Sequence, residues 1–180
     1  MKITGITRRI DGLGRIVIPK ELRRSLRIEE YDTMEINGGP DGSIILKKYY
    51  PLSSLGNYIP EYVNTLYWAL GCDSLICDRD TVIASSGPNS RYYNGKKLHQ
   101  DIMETINHVN IICLDDNQHI NITSDINQKN YKTQVIAPIH HNGNSIGAVI
   151  LLLQPLDSKS LNLNIKFAET IAYLIGQTIN

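Results

Sequence analysis

Cysteine is scarce in this chain. There are three, Cys72, Cys77 and Cys113, with no C-x-x-C pair, and all lie beyond residue 50. That excludes a disulfide framework or a thiolate metal cage for the first 50 residues. Long apolar runs are missing too. The longest, Ala148–Leu153, is six residues, where about 20 are needed to cross a bilayer. The opening MKITGITRR also lacks the apolar stretch of about 7–15 residues that a secretory signal carries. These absences lead us to expect a cytoplasmic protein with reduced thiols and no membrane partner.

Catalytic and cofactor motifs are equally sparse. The glycines at 12, 14, 38, 39 and 42 form neither G-x-G-x-x-G nor G-x-x-x-x-G-K-[ST], and no G-x-S-x-G elbow occurs. Five histidines (His99, His108, His119, His140, His141) fit no H-E-x-x-H spacing. The Asp78-Arg79-Asp80 pair reads as a turn, because successive strand residues point to opposite faces and cannot share acid–base work. Cys72 and Cys77 read as small buried hydrophobes. No enzyme, no metal and no known cofactor are expected.

What the chain does have is a charge asymmetry. Lysine plus arginine balance aspartate plus glutamate at 18 each, yet the first 27 residues hold eight basic side chains against two acids, a local net of +6. The basic residues are Lys2, Arg8, Arg9, Arg15, Lys20, Arg23, Arg24 and Arg27; the acids are Asp11 and Glu21. A polyanion would be drawn to this end and ignored by the rest. Double-stranded nucleic acid is the leading partner, since arginine bridges phosphate oxygens and docks bidentately on guanine. The plainer alternative is a solvated surface with Glu21 paired to Arg24, and Asp11 to Arg9 or Arg15.

Hydrophobic content of 42% in 180 residues suits a folded protein of one or two domains. The charge balance changes sign near residues 49–53, and KKYYPLSSLG reads as a short linker, giving domains of 1–50 and 51–180. In the first, Thr4–Ile10 and Arg15–Ile18 read as strands across the Asp11–Gly14 turn. Lys20–Leu26 reads as a brief helix with Leu22 and Leu26 facing inward, and Arg23 and Arg24 exposed. Tyr31–Asn37 and Ser43–Lys48 read as a hairpin. So small a segment needs a partner chain to complete a core.

The second segment reads as α+β, with helices over Pro60–Leu70, Lys97–Asn107 and Ser160–Ile179. Strands are expected at Ser74–Asp78, Thr81–Ser85, Tyr131–His140 and Ser145–Leu153. One central antiparallel sheet with helices packed on it follows.

The stretch TGITRRIDGLGRIVIPKELRRSLRIEEYDTMEINGGPDGSIILKKY resembles the AbrB-like family of bacterial transition-state regulators, the GRIVIPKELRR core being its specific signal. The continuation PLSSLGNYIPEYVNTLYWALGCDSLICDRDTVIA resembles the sporulation-regulator branch of that family, whose members carry a C-terminal GAF domain. The resemblance implies a swapped-hairpin barrel shared by two chains, followed by an α+β GAF domain with a central antiparallel sheet. It also implies DNA contacts from Arg8, Arg15, Arg23 and Arg24, with Arg9 joining them; Arg27 has no clear counterpart. AT-rich, bendable promoters, read by shape, are the implied target, and a tetramer joined through the GAF domains the implied assembly. By the same analogy the GAF pocket either takes an unidentified small molecule, with Cys113 among its lining, or the domain serves oligomerisation alone. Activator and repressor readings stay open. Two other readings are an antitoxin-like AbrB protein and a small-molecule-binding signalling protein.

Overall fold

The computed structural model describes residues 5–26, 28, 30, 32, 34–107, 110–115, 118–124 and 131–179. Lys2, Arg27, Tyr31 and His108 lie outside them. The chain divides into two units, Met1–Tyr49 and Tyr50–Asn180.

In the first unit the two expected N-terminal strands do not form within one chain. Residues 5–10 and 15–19 carry no ladder, because a strand exists only when its N–H and C=O groups find a neighbour. The Asp11–Gly14 turn between them does form, with the Gly14 N–H on the Asp11 carbonyl at 3.0 Å and Gly14 at φ +78°. After Pro19 the chain enters helix α1 (Lys20–Leu26), none of whose residues is buried. Leu26 is exposed and Leu22 only half-buried, contrary to the inward facing expected of both. Strands β1 (Met34–Gly38) and β2 (Ile44–Lys48) pair antiparallel, from Met34 opposite Lys48 to Gly38 opposite Ile44. Among the described residues up to Tyr49, Pro19 alone is buried. Leu13, Val17 and Ile44 stand 77%, 73% and 70% exposed.

The second unit opens with a 3-10 turn over Pro51–Leu55 in place of a plain linker, and it buries Leu52 and Leu55. Helix α2 (Tyr58–Leu70) follows and ends on Gly71, whose φ of 68° suits a residue without Cβ. Strands β3 (Asp73–Cys77) and β4 (Val82–Ser86) pair across a turn in which the Asp78 carboxylate accepts the N–H groups of Asp80 and Thr81 at 2.7 and 2.6 Å. Helix α3 (Gln100–Ile106) is shorter than expected, since His99 caps it by accepting the Asp101 N–H. Strand β5 (Ile112–Asp115), which periodicity did not flag, pairs with β6 (Thr133–His141). A two-residue Asn142-Gly143 turn, both with positive φ, joins β6 to β7 (Asn144–Leu153); this is the turn whose twist suits a hairpin. Helix α4 (Ser158–Thr178) starts where Asp157 accepts the N–H groups of Lys159 and Ser160.

The sheet runs β4-β3-β7-β6-β5, antiparallel throughout. Side chains alternate across it. Val149, Leu151 and Leu153 of β7 face a core shared with α2 and α4, which includes Val63, Leu66, Ala168, Ala172 and Ile175. Ala148, Ile150 and Leu152 face a second core with Leu98, Ile102 and Ile106 around α3. A strand covered on both faces has no place for a polar residue, which is why AVILLL reads as an unbroken apolar run.

Helix α4 meets the sheet closely. A Cβ added at Gly176 would collide with the carbonyl oxygen of His140. Alanine for glycine inside a helix ordinarily stabilises by about 1 kcal/mol, but here backbone stands in the way. We expect Gly176→Ala to lower stability by about 1–3 kcal/mol in urea-induced unfolding; an unchanged or raised midpoint would contradict this packing.

Candidate functional site

Arg8, Arg9, Arg15, Arg23 and Arg24 all belong to the first unit and fall between residues 8 and 24. Arg8, Arg9, Arg15 and Arg24 are exposed, and Arg23 is half-buried. They flank the turn that links the extended segment to α1. Arg8 and Arg9 precede the turn, Arg15 closes it, and Arg23 and Arg24 occupy the last turn of α1, where cations suit the carbonyl end of the helix.

Asp11 organises the turn. Its Oδ1 accepts the backbone N–H of Leu13 at 2.9 Å and of Arg15 at 2.8 Å. Its Oδ2 accepts the Arg15 Nε–H at 2.8 Å, and the Asp11 N–H donates to the Arg15 carbonyl at 3.0 Å. The Arg15 backbone N–H, then its guanidinium, hold the Asp11 carboxyl below the usual carboxylate value. The turn therefore keeps its charged form above that usual value and loses it only as pH falls through the lowered one. Of the pairings expected for these acids, Asp11–Arg15 forms, and no Glu21–Arg24 ion pair exists among the described residues. Sequence reasoning missed the organising role of Asp11, although Asp before Gly at the head of a turn is a signal for such bonding.

In the second unit a cleft beside the α3 core is lined by Tyr93, Ile120, Asn121, Ile122, Thr123, Tyr131 and Gln134. Gln134 pins the segment opposite: its Oε1 accepts the Ile120 N–H and its Nε2 donates to the Ile120 carbonyl. Burial, with the Asp73 carboxylate nearby, pushes the Tyr131 phenol well above its ordinary range. The Tyr93 and Thr123 hydroxyls are buried there without a partner among the described residues. The centre of a water molecule has about 10 Å³ to occupy, roughly what one water needs.

Cys113 is not among the residues that line this cleft; it stands exposed on β5, a strand at the sheet edge. No cluster of His, Cys, Asp and Glu that could hold a metal exists among the described residues. Nor, among them, is any helix long and apolar enough to cross a membrane.

Comparison with known proteins identifies the family. A family model described as "Stage V sporulation protein T C-terminal, transcription factor" matches residues 54–180. Stage V sporulation protein T of Bacillus subtilis (strain 168) is 44% identical over 177 residues, 98% of each chain. The chain belongs to the stage V sporulation protein T family. The N-terminal unit of this family member also matches a model described as "Antidote-toxin recognition MazE, bacterial antitoxin" over residues 7–51. Over 51 residues it is 61% identical to the transition state regulatory protein AbrB of the same organism, covering 28% of this chain and 52% of that one. The N-terminal domain is therefore of AbrB type. The GAF domain of an Acinetobacter phosphoenolpyruvate-protein phosphotransferase superposes with a TM-score of 0.53 at 14% identity, over 74% of this chain and 84% of that one. That likeness establishes a GAF-like fold and nothing of its ligand.

Burial separates the three thiols. It raises Cys77 to about 12 and Cys72 to about 11, and lifts Cys113 as well. All three are protonated near neutrality, so access decides reactivity. With iodoacetamide at pH 8, mass spectrometry of the folded protein should show Cys113 modified first and Cys77 only after denaturation. Early modification of Cys77 would contradict the closed core around β3.

Proposed function

We propose that this protein is a cytoplasmic, homo-oligomeric transcriptional regulator of sporulation genes. Its N-terminal arginines grip double-stranded DNA, and its GAF domain assembles the oligomer. The observation that carries the reading is the arginine set around the Asp11–Arg15 turn, exposed at Arg8, Arg9, Arg15 and Arg24, inside a segment 61% identical to AbrB. In this reading Arg8, Arg9, Arg15, Arg23 and Arg24 contact phosphates and groove edges. A site read through its backbone and deformability favours AT-rich, bendable promoters over a strict consensus.

Dimerisation through the N-terminal unit supplies the cover its apolar side chains lack, as a swapped-hairpin barrel. Two copies also double the cationic face along one duplex. The outer faces of α2 and α4 support a further step to a tetramer: Tyr58, Trp68, Leu163 and Tyr173 are exposed there, Trp68 at 87%. No catalytic role is assigned to any residue.

The antitoxin reading draws on the match over residues 7–51. Against it, residues beyond 50 form a five-stranded sheet with helices, whereas a toxin-wrapping tail is short and unfolded. The signalling-protein reading needs a bound metabolite, and tight metabolite binding without any DNA retardation would favour it.

Fluorescence anisotropy with an AT-rich duplex tests the proposal. The variant Arg8→Ala, Arg15→Ala, Arg23→Ala, Arg24→Ala should keep its fold and oligomeric state yet bind far more weakly. The slope of log K against log salt should flatten by about 0.9 for each phosphate that is no longer neutralised. Parental affinity with an unchanged slope would remove these residues from the interface.

A further inference from the structure

We infer that Asp11 is a positioning residue for nucleic-acid binding: its carboxylate holds the Arg15 guanidinium by Nε and leaves both terminal nitrogens to face the duplex. The inference rests on the DNA-contacting role proposed for Arg15 and names what aims that side chain.

The two carboxylate oxygens divide the work. Oδ1 takes the backbone N–H groups of Leu13 and Arg15, which closes the turn. Oδ2 takes the Nε–H of Arg15, which fixes the side chain. One residue thus anchors both the main chain and the side chain of the arginine four positions on. Of the five guanidinium N–H groups one is spent, and the remaining edge is the one that matches a phosphate or the guanine major-groove edge. The Arg15 side chain is still 72% exposed, so it is held without being withdrawn from solvent. Holding a long side chain in place before binding lowers the ordering cost when the partner arrives.

Charge counting gives the opposite expectation. An acid in a cationic stretch repels a polyanion, and on that ground alone removing Asp11 should tighten binding. The clamp predicts a loss. Asp11→Asn separates the two, and also separates aiming from turn formation. An asparagine oxygen still accepts the Leu13 and Arg15 backbone N–H groups and favours the same turn. Its amide nitrogen is a donor and cannot accept from Nε.

Full-length Asp11→Asn, Arg15→Ala and the double variant should be titrated with one AT-rich duplex at fixed salt. Circular dichroism and sedimentation serve to check fold and assembly. Arg15→Ala weakens binding; Asp11→Asn weakens it by roughly three- to tenfold; and Asp11→Asn costs nothing further once Arg15 is alanine. If Arg15→Ala weakens binding while Asp11→Asn matches or exceeds the parent, the clamp is wrong and the DNA role of Arg15 stands. A loss from Asp11→Asn that persists undiminished beside Arg15→Ala also overturns it. A silent Arg15→Ala overturns the contact role itself, and with it any aiming through that residue.

Discussion

Apolar side chains left exposed within one chain govern the N-terminal unit of this protein. Ile10, Leu13, Val17, Ile36 and Ile44 are each more than half exposed within one chain. Burying such a side chain is worth about 1.5–3 kcal/mol, so the uncovered set is a large fraction of what stabilises a small domain. Some fifty residues cannot enclose them alone. The unladdered segments, the helix without a buried residue and the AbrB-type sequence are consistent with one cause. In the proposed dimer the missing part of that core comes from another copy.

The C-terminal unit meets the same demand internally. Its sheet is covered by α2 and α4 on one side and by α3 on the other, and β7 at the centre is apolar on both faces. Tyr93, Tyr131 and Gln134 line the small cleft beside the α3 core. The two halves divide the chemistry. One carries the basic excess and an incomplete core; the other carries the acidic balance and a finished core with aromatic residues left outside it.

Legibility in the sequence followed where each residue finds its partner. The stripe Val63, Leu66, Leu70 ending at Gly71, and the hairpin around Asn142-Gly143, were readable because their determinants lie within a few positions. The terminal helix was readable for the same reason, with Ala168, Ala172, Ile175 and Ile179 buried as its spacing implied. The N-terminal strands were not, since their pairing is absent from the single chain and β-branched residues alone do not make a ladder. Leu26 was misjudged because helical spacing marks a face without saying whether anything covers it. β5 is four residues long at a sheet edge, too brief for a clear period. Among site residues, composition revealed the arginines, while the role of Asp11 emerged only from its three short hydrogen bonds.

Isotope-filtered NMR on mixed labelled and unlabelled chains probes the shared core most directly. The account predicts methyl contacts between chains from Ile10, Val17, Ile36 and Ile44. Contacts confined to one chain, at the sedimentation mass of a single chain, would contradict it.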